Sequence, residues 1–416
     1  MKTEFFINNR RKFAEKMDDY SAAVFFSGKA PRQSADQQYP FSVDRNFFYL
    51  TGIDREDMVL IISKIAGKVD ETLYIPPVDE HFEKWYGILM RKEEATKISG
   101  IKTVENRNEL LTQFSSKLSS ADRPDNVYIF SYITDADEPY DCYRSFAHWM
   151  RAQYPAVNIK NSLDIMIELR STKSEEEVEE IKTAIGYTNE ALKFVMKNLK
   201  PGMYEYQARA DFEYQLMTRN SRPSFPIIGA SSKNAVILHY VELQRKMEDG
   251  DMILLDLGAL SNNYASDITR IYPVNGKFTQ RQKDIYNVVL EAQDVTINAM
   301  HVGASETDVN NKVKAHFAKG LKMLNIIKDD SEVVNYYYHS IGHPLGLDVH
   351  DFIRRDKTMQ ENNVYTVEPG LYIKEEGIGI RIEDNVWVTK NGIINLSKDI
   401  IKTVNDIENF MANLHF

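Results

Sequence analysis

The chain is poor in several things, and each shortage excludes a class of protein. Its 416 residues contain a single cysteine, Cys142, so no intrachain disulfide can form and a reducing compartment is expected. No window approaches the ~20 apolar residues that a membrane span needs. The opening "MKTEFFINNRRKFAEKM" is charged throughout and lacks the apolar centre of a signal peptide. No basic run offsets the formal net charge of −10, which argues against nucleic acid or an anionic membrane as a partner. The N-terminal part shows no glycine-rich phosphate loop. A cytoplasmic protein is expected, with no nucleic-acid partner and no membrane partner.

What the chain does have is material for two cores, since 416 residues exceed what one core normally serves. "AAVFF" (22–26), "MVLIIS" (58–63), "TLYIP" (72–76) and "NVYIF" (126–130) are short apolar runs of the kind that form buried strands. "EEATKISGI" and "ELLTQFSSKL" between them have helical character, so residues 1–165 are expected to form an α/β domain. A boundary falls within 160–173, and a second domain is expected over 174–416.

The second domain opens with Ser174 and, three residues on, Glu177, a capping box that starts a long helix ended by Pro201 and Gly202. "EYQARADFEYQLMTRN" follows as a second helix. The same order returns about a hundred residues later. Thr279 with Gln282 caps "RQKDIYNVVLEAQDVTINAM", in which Ile285, Val288, Val289, Ala292 and Val295 share one face, and "ETDVNNKVKAHFAKGLKML" follows Gly303. Each helix pair leads into strand-like sequence, which suggests an internal duplication within one α/β unit.

Each half then carries two carboxylates in an apolar hairpin. In "DMILLDLGALSNNYASDITRIYPV", Asp256 and Asp267 are equidistant from the middle of the turn-forming "LSNN", so a tight turn there places them opposite, or nearly opposite, each other. In "VYTVEPGLYIKEEGIGIRIEDNVWV", Glu368 and Glu383 are equidistant from the middle of "KEEG". Cross-strand neighbours lie ~5 Å apart, where like charges repel, so such pairs need a cation or a shared proton. Between the hairpins, "HSIGHPLGLDVHD" gathers His339, His343 and His350 among apolar neighbours, with Gly342 and Gly346 permitting close backbone approach. A single acidic residue on a strand is usually only solvated, and a lone buried histidine usually belongs to the core. Four carboxylates and one imidazole together suit two divalent ions, Mn²⁺, Co²⁺ or Zn²⁺. Two-metal sites, with ions ~3.5–4 Å apart, activate water and polarise a scissile carbonyl.

"LLDLGALSNNYASDITRIYPVNGKFT", "HSIGHPLGLDVHD", "TVEPGLYI" and "GIGIRIEDNVWVT" resemble the aminopeptidase P and prolidase group of metallopeptidases. That group shares the pita-bread fold with methionine aminopeptidase. The likeness extends upstream through "NAVILHY" (234–240), while "YPFSVDRNFFYLTGI" (39–53) and "EKWYG" (83–87) resemble the N-terminal domain of aminopeptidase P. The resemblance implies a pita-bread catalytic domain behind an α/β N-terminal domain. By its pattern Asp256 would bind one metal, His343 and Glu368 the other, and Asp267 and Glu383 both; Mn²⁺ is the expected ion. Glu368 would also act as general base, and His350 and His339 would hydrogen-bond the substrate carbonyl and the oxyanion. His239 would line the proline pocket, Arg381 would support the ligands, and Tyr372 would sit beside substrate. Trp85 would reach an active site across the interface of a homodimer or homotetramer.

An Xaa-Pro aminopeptidase acting on peptides with a penultimate proline is therefore expected, with a prolidase cleaving only Xaa-Pro dipeptides as the alternative. Non-catalytic or metal-free relatives lack ligand residues that are all present here. The chain departs from the family where Thr-Glu-Asn usually follows "LHY", having Val241, Glu242 and Leu243, and where "NSRPSFPIIGASS" replaces a His-Gly-rich segment. Both departures bear on the shape of the substrate pocket.

Overall fold

Alternating apolar residues buried on both faces explain the first sheet. In the computed structural model, which describes residues 1–413 except 136, 139, 355 and 357, the strand Ser21–Phe26 (β1) is buried along its whole length. Ala22, Val24 and Phe26 face one core with Val59, Ile61, Leu110, Phe114 and Phe146. Phe25 points the other way, edge-on to Phe13 of the first helix with ring centroids 5.1 Å apart. A strand covered on both sides has no polar alternation to show, which is why it reads as a continuous apolar run.

Around β1 a six-stranded mixed sheet forms from Val59–Ile65 (β2), Lys68–Ile75 (β3), Thr103–Asn106 (β4), Asn126–Ile129 (β5) and Asn158–Asn161 (β6). Its order is β4-β3-β2-β1-β5-β6, antiparallel through β1, β2 and β3 and parallel outward from them. This sheet belongs to the first of two compact units, Met1–Leu169; the second is Arg170–Phe416. The residues 414–416 of the expected catalytic domain lie outside the described residues. No helix among the described residues is long and apolar enough to cross a membrane.

In the second unit both capping boxes form. Ser174 and Glu177 start the helix Glu175–Asn198 (α1), and Thr279 and Gln282 start Gln280–Ala299 (α3). Each packs on the helix that follows it, Glu205–Met217 (α2) and Glu306–Met323 (α4) respectively. After the first pair come Ile228–Ser231 (β7), Met252–Leu257 (β8) and Ile268–Pro273 (β9), in the order β9-β8-β7. After the second pair come Val364–Val367 (β10), a hairpin of Gly370–Ile373 (β11) and Ile378–Arg381 (β12), then Asp384–Thr389 (β13) and Gly392–Asn395 (β14). The second three-stranded sheet has the order β10-β13-β14. Each half thus builds a helix pair, a three-stranded sheet and a small hairpin, but the extra strand precedes the acidic hairpin in one half and follows it in the other.

The two acidic hairpins differ in register. Val367 pairs with Asp384 and Gly370 with Arg381, so Glu368 and Glu383 fall directly opposite, as their spacing predicts. In the other hairpin Asp256 pairs with Thr269, and Leu260 with Ala265. The turn is therefore Asn262–Asn263, one residue later than the midpoint of the aspartates, and both asparagines have positive φ, 44° and 66°. Asp267 lies two residues before Thr269 and so diagonal to Asp256 on the same face, not directly opposite it. Asparagine tolerates the left-handed conformation that a two-residue hairpin turn demands, and that preference sets the register.

Candidate active site

Three short segments bring the predicted ligands together. The loop before β10 runs back along it: the His343 carbonyl accepts from the Thr366 N–H at 2.9 Å, and the Ile341 carbonyl from the Glu368 N–H at 2.9 Å. Gly342 is required there, because a Cβ would stand 2.1 Å from the Thr366 carbonyl oxygen. Gly346 has the corresponding role beside Asp351, whose Oδ2 would lie 2.0 Å from a Cβ. His343 is thereby set with Nε2 3.4 Å from Asp267 Oδ2 and 3.7 Å from Glu368 Oε1. Its Nδ1 donates to the Pro344 carbonyl at 3.1 Å, which leaves Nε2 as the free lone pair.

The first half joins the second through Thr269 and Asn385. The Thr269 carbonyl accepts from the Glu383 N–H at 3.1 Å, and its hydroxyl donates to Glu383 Oε2 at 2.7 Å. Asn385 bonds both backbone groups of Asp267, accepting from its N–H at 3.1 Å and donating to its carbonyl at 2.6 Å. Asp256 is reached from β12: Arg381 Nη2 donates to Asp256 Oδ2 at 2.6 Å, while Nη1 donates to the Tyr372 hydroxyl at 2.8 Å. Neither Thr269 nor Asn385 is evident as a site residue from composition. Thr269 follows from the hairpin register once the Asn-Asn turn is taken as its centre.

All five ligand candidates line one cavity of about 660 Å³, together with His239, His339, His350 and Arg381. Ligand atoms of Asp267, His343 and Glu383 all lie within 4.8 Å of one another. Oδ1 of Asp256 and Oδ1 of Asp267 are buried without a hydrogen-bond partner among the described residues. Burial, and after it Asp256 and Glu368, push the Asp267 carboxyl well above its usual range; burial and then Asp267, Glu368 and Asp256 do the same to Glu383. Glu368 is also raised, chiefly by burial. Orphaned carboxylate oxygens converging in a buried, self-repelling cluster fit divalent cations, and the donor set of oxygens and one imidazole without sulfur suits hard to borderline ions.

The remaining predicted residues are placed as follows. His350 lies against His343 with ring centroids 4.1 Å apart and the rings tilted by 49°, and no hydrogen bond ties its ring to a described residue. Burial, then the neighbouring His343, lowers its pKa to about 4, so the ring is neutral. His339 is also lowered to about 4, mainly by burial and then by Arg381. Its Nδ1 donates to the Ser340 carbonyl at 2.7 Å and its Nε2 accepts from the Tyr372 hydroxyl at 2.9 Å. Both ring nitrogens are therefore engaged: the Nδ1 proton is taken by Ser340 and Nε2 carries the lone pair, so donation from His339 to an oxyanion requires both release of Tyr372 and transfer of the ring proton to Nε2. Tyr372 itself is buried between Arg381 and His339, behind the cavity rather than in its lining. His239 is exposed on the cavity wall beside Leu238 and Val241. Trp85 lies in the first unit, on the surface helix Glu80–Tyr86, and is 73 % exposed.

Comparison with known proteins agrees along the whole chain. A sequence profile of Metallopeptidase family M24 matches residues 179–390, and one of the Aminopeptidase P, N-terminal domain matches residues 6–128. The Xaa-Pro aminopeptidase of Haemophilus influenzae is 33% identical, with 99% of this chain and 97% of that protein covered. A Bacillus anthracis structure provisionally assigned as an aminopeptidase P superposes with a TM-score of 0.97 at 40% identity, covering 99% of each chain. Zinc-substituted aminopeptidase P from Escherichia coli, in complex with product, superposes with a TM-score of 0.92 at 30% identity, over 100% of this chain and 99% of that one. With the N-terminal α/β domain, the pita-bread unit and the ligand cluster all in place, the chain belongs to metallopeptidase family M24, in its aminopeptidase P group.

Proposed function

We infer that the protein is a two-metal Xaa-Pro aminopeptidase that releases the N-terminal residue from peptides with proline in second position. The observation that carries this reading is the convergence of Asp256, Asp267, His343, Glu368 and Glu383 in one cavity, within a chain that matches Xaa-Pro aminopeptidases end to end. The prolidase alternative is not favoured: the Xaa-Pro aminopeptidases of Escherichia coli and Haemophilus influenzae match 98% and 99% of this chain.

In this reading Asp256, Asp267, His343, Glu368 and Glu383 would hold a divalent pair, as the family resemblance implies. The carboxylate-rich donors favour Mn²⁺, with Co²⁺ and Zn²⁺ as substitutes. Bound there, the pair supplies Lewis-acid polarisation of the scissile carbonyl and lowers the pKa of water. Glu368 takes the proton from the attacking water and passes it to the prolyl nitrogen, which leaves as a secondary amine. That nitrogen carries no N–H in the substrate, so recognition falls to shape, and His239 with the neighbouring apolar wall provides it. His350, whose ring makes no hydrogen bond with a described residue, is the imidazole free to bind the substrate carbonyl. His339 would act with it once Tyr372 gives up Nε2 and the ring proton moves there from Nδ1, and Arg381 orients Asp256. Residues 1–165 form the N-terminal domain and 174–416 the catalytic one. The exposed Trp85 is assigned to an interface of a homodimer or homotetramer, and the lone Cys142 suits the reducing cytoplasm.

The test is hydrolysis of an Xaa-Pro dipeptide and an Xaa-Pro-Xaa tripeptide by metal-stripped protein, with and without Mn²⁺. Manganese-dependent release of the first residue from the tripeptide is expected. Cleavage of the dipeptide alone would instead identify a prolidase.

A further inference from the structure

The cavity has a metal wall built on strands and a substrate wall built on a loop, and the loop needs an anchor. Residues 232–244 leave the sheet after β7 and carry Leu238, His239 and Val241 into the cavity. Both ends turn in left-handed conformation without glycine: Ser232 has φ 50° and Leu243 φ 53°. A β-carbon disfavours that region, and surrounding contacts must impose it. At the far end Leu243 is buried, its side chain lying so close over Gly229 of β7 that a Cβ there would stand 2.8 Å from Leu243 Cδ2.

One carboxylate binds both ends. Glu205, the first residue of α2, is 0 % exposed. Its Oε1 accepts from the Ser231 N–H at 2.7 Å, the Ser231 hydroxyl at 2.7 Å and Asn234 Nδ2 at 3.1 Å. Its Oε2 accepts from the Arg245 N–H at 2.9 Å. The backbone repeats the clasp, with the Glu205 N–H donating to the Arg245 carbonyl at 3.0 Å and the Tyr206 N–H to the Leu243 carbonyl at 3.0 Å. The loop in turn lies against the catalytic strands. A Cβ at Gly379 of β12 would be 1.9 Å from the Ala235 carbonyl, and the Tyr338 hydroxyl donates to the Val236 carbonyl at 3.0 Å.

We propose that Glu205 is a positioning residue for substrate binding: its carboxylate ties the entry and the exit of the 232–244 loop together and so fixes the wall that receives the prolyl side of the peptide. It touches neither substrate nor metal. Leucine disfavours left-handed φ, so burial of the Leu243 side chain and the Glu205 clasp must hold this turn.

The inference rests on the Xaa-Pro aminopeptidase reading, and manganese-loaded full-length protein tests it. Glu205→Gln preserves shape but turns an amide N–H toward backbone N–H donors. KM for an Xaa-Pro-Xaa tripeptide is expected to rise about tenfold, with kcat changed less than about threefold and metal content unchanged, as for loss of binding remote from the chemistry. Asn234→Ala, which removes one donor from a partly exposed side chain, is expected to raise KM about two- to threefold with the thermal midpoint little changed. An unchanged KM in folded Glu205→Gln, or a loss of kcat and metal together, overturns the proposal. Should Glu205→Gln fail to fold, an unchanged KM in Asn234→Ala overturns it. Wild-type protein that cleaves no Xaa-Pro peptide overturns the functional reading, and the proposal with it.

Discussion

Glu383 and Asp384 are consecutive, nearly equally buried at 1 % and 0 % exposure, and opposite in their surroundings. Asp384 meets Arg270 Nη2 and Lys402 Nζ, each at 2.6 Å, and takes a further hydrogen bond from Asn395 at 2.7 Å. Burial works against its charge, but Arg270 and Lys402 prevail and hold its pKa below the usual range. Glu383 faces three other carboxylates and is pushed well above that range by burial and by them. One carboxylate comes with its cations supplied by the chain. The other comes with none, and side chains from both halves of the unit converge to keep it so. A buried acid that the protein leaves uncompensated is a place kept for something else.

Exchanging each for its amide should separate the two roles. Glu383→Gln removes a ligand expected to serve both ions, so metal-dependent turnover should fall on the order of 10³-fold or more, equivalent to several kcal/mol of transition-state stabilisation. Bound metal, read by elemental analysis, should fall with it. Because the amide carries no charge into the cluster, the metal-free variant should unfold at no lower temperature than metal-free wild type. A variant that keeps both metal and turnover would remove Glu383 from the site. Asp384→Asn should do the reverse, leaving the buried Arg270 and the half-buried Lys402 beside a neutral partner at a cost of about 3–5 kcal/mol in stability. Denaturant unfolding would show it, and a loss below about 1 kcal/mol would mean that the pair is not structural.

Arg381 stands between the two cases, a cation supplied to one ligand of an otherwise uncompensated cluster. Its guanidinium binds Asp256, Tyr372 and Thr269 at once, through Nη2, Nη1 and Nε. Lysine keeps the charge but cannot make that fork. Arg381→Lys is therefore expected to weaken metal affinity about 10- to 100-fold, measured by competition with a chelating indicator, with stability largely retained. Unchanged affinity would show that charge alone suffices.

Most of the scaffold is legible in the sequence because it rests on local chemistry. Both capping boxes form where Ser174 and Thr279 predict them, and the Glu368–Glu383 register follows from spacing alone. The Asp256–Asp267 register is displaced by one residue, since the turn follows the asparagines' tolerance of positive φ rather than the midpoint of the acids. Other features depend on contacts between residues far apart in sequence. Asn385 clamps the backbone of Asp267 across 118 positions, and Glu205 binds Arg245 across 40. The engagement of both His339 nitrogens is likewise a matter of where Ser340 and Tyr372 come to rest. Sequence supplies the identity of these groups, and the fold decides which of them are spoken for.

Thr269 gives the finest measure of how far the chain tunes Glu383. It sits opposite Asp256 in the ladder, donates its hydroxyl to Glu383 Oε2 at 2.7 Å and receives Arg381 Nε at 3.2 Å. Valine is nearly isosteric, so Thr269→Val removes that hydroxyl with little change in volume. In the loaded enzyme Glu383 would keep its metal contacts and lose only the donor that orients it. The expected loss is about 1 kcal/mol, or roughly five- to tenfold in metal affinity, with kcat at saturating metal changed less than affinity. In the metal-free protein the same substitution strands one more carboxylate oxygen, so the thermal midpoint without metal should fall further than the midpoint with it. Equal shifts in the two states would mean that the threonine serves the hairpin alone, and that the boundary between compensated and uncompensated acid lies squarely between residues 383 and 384.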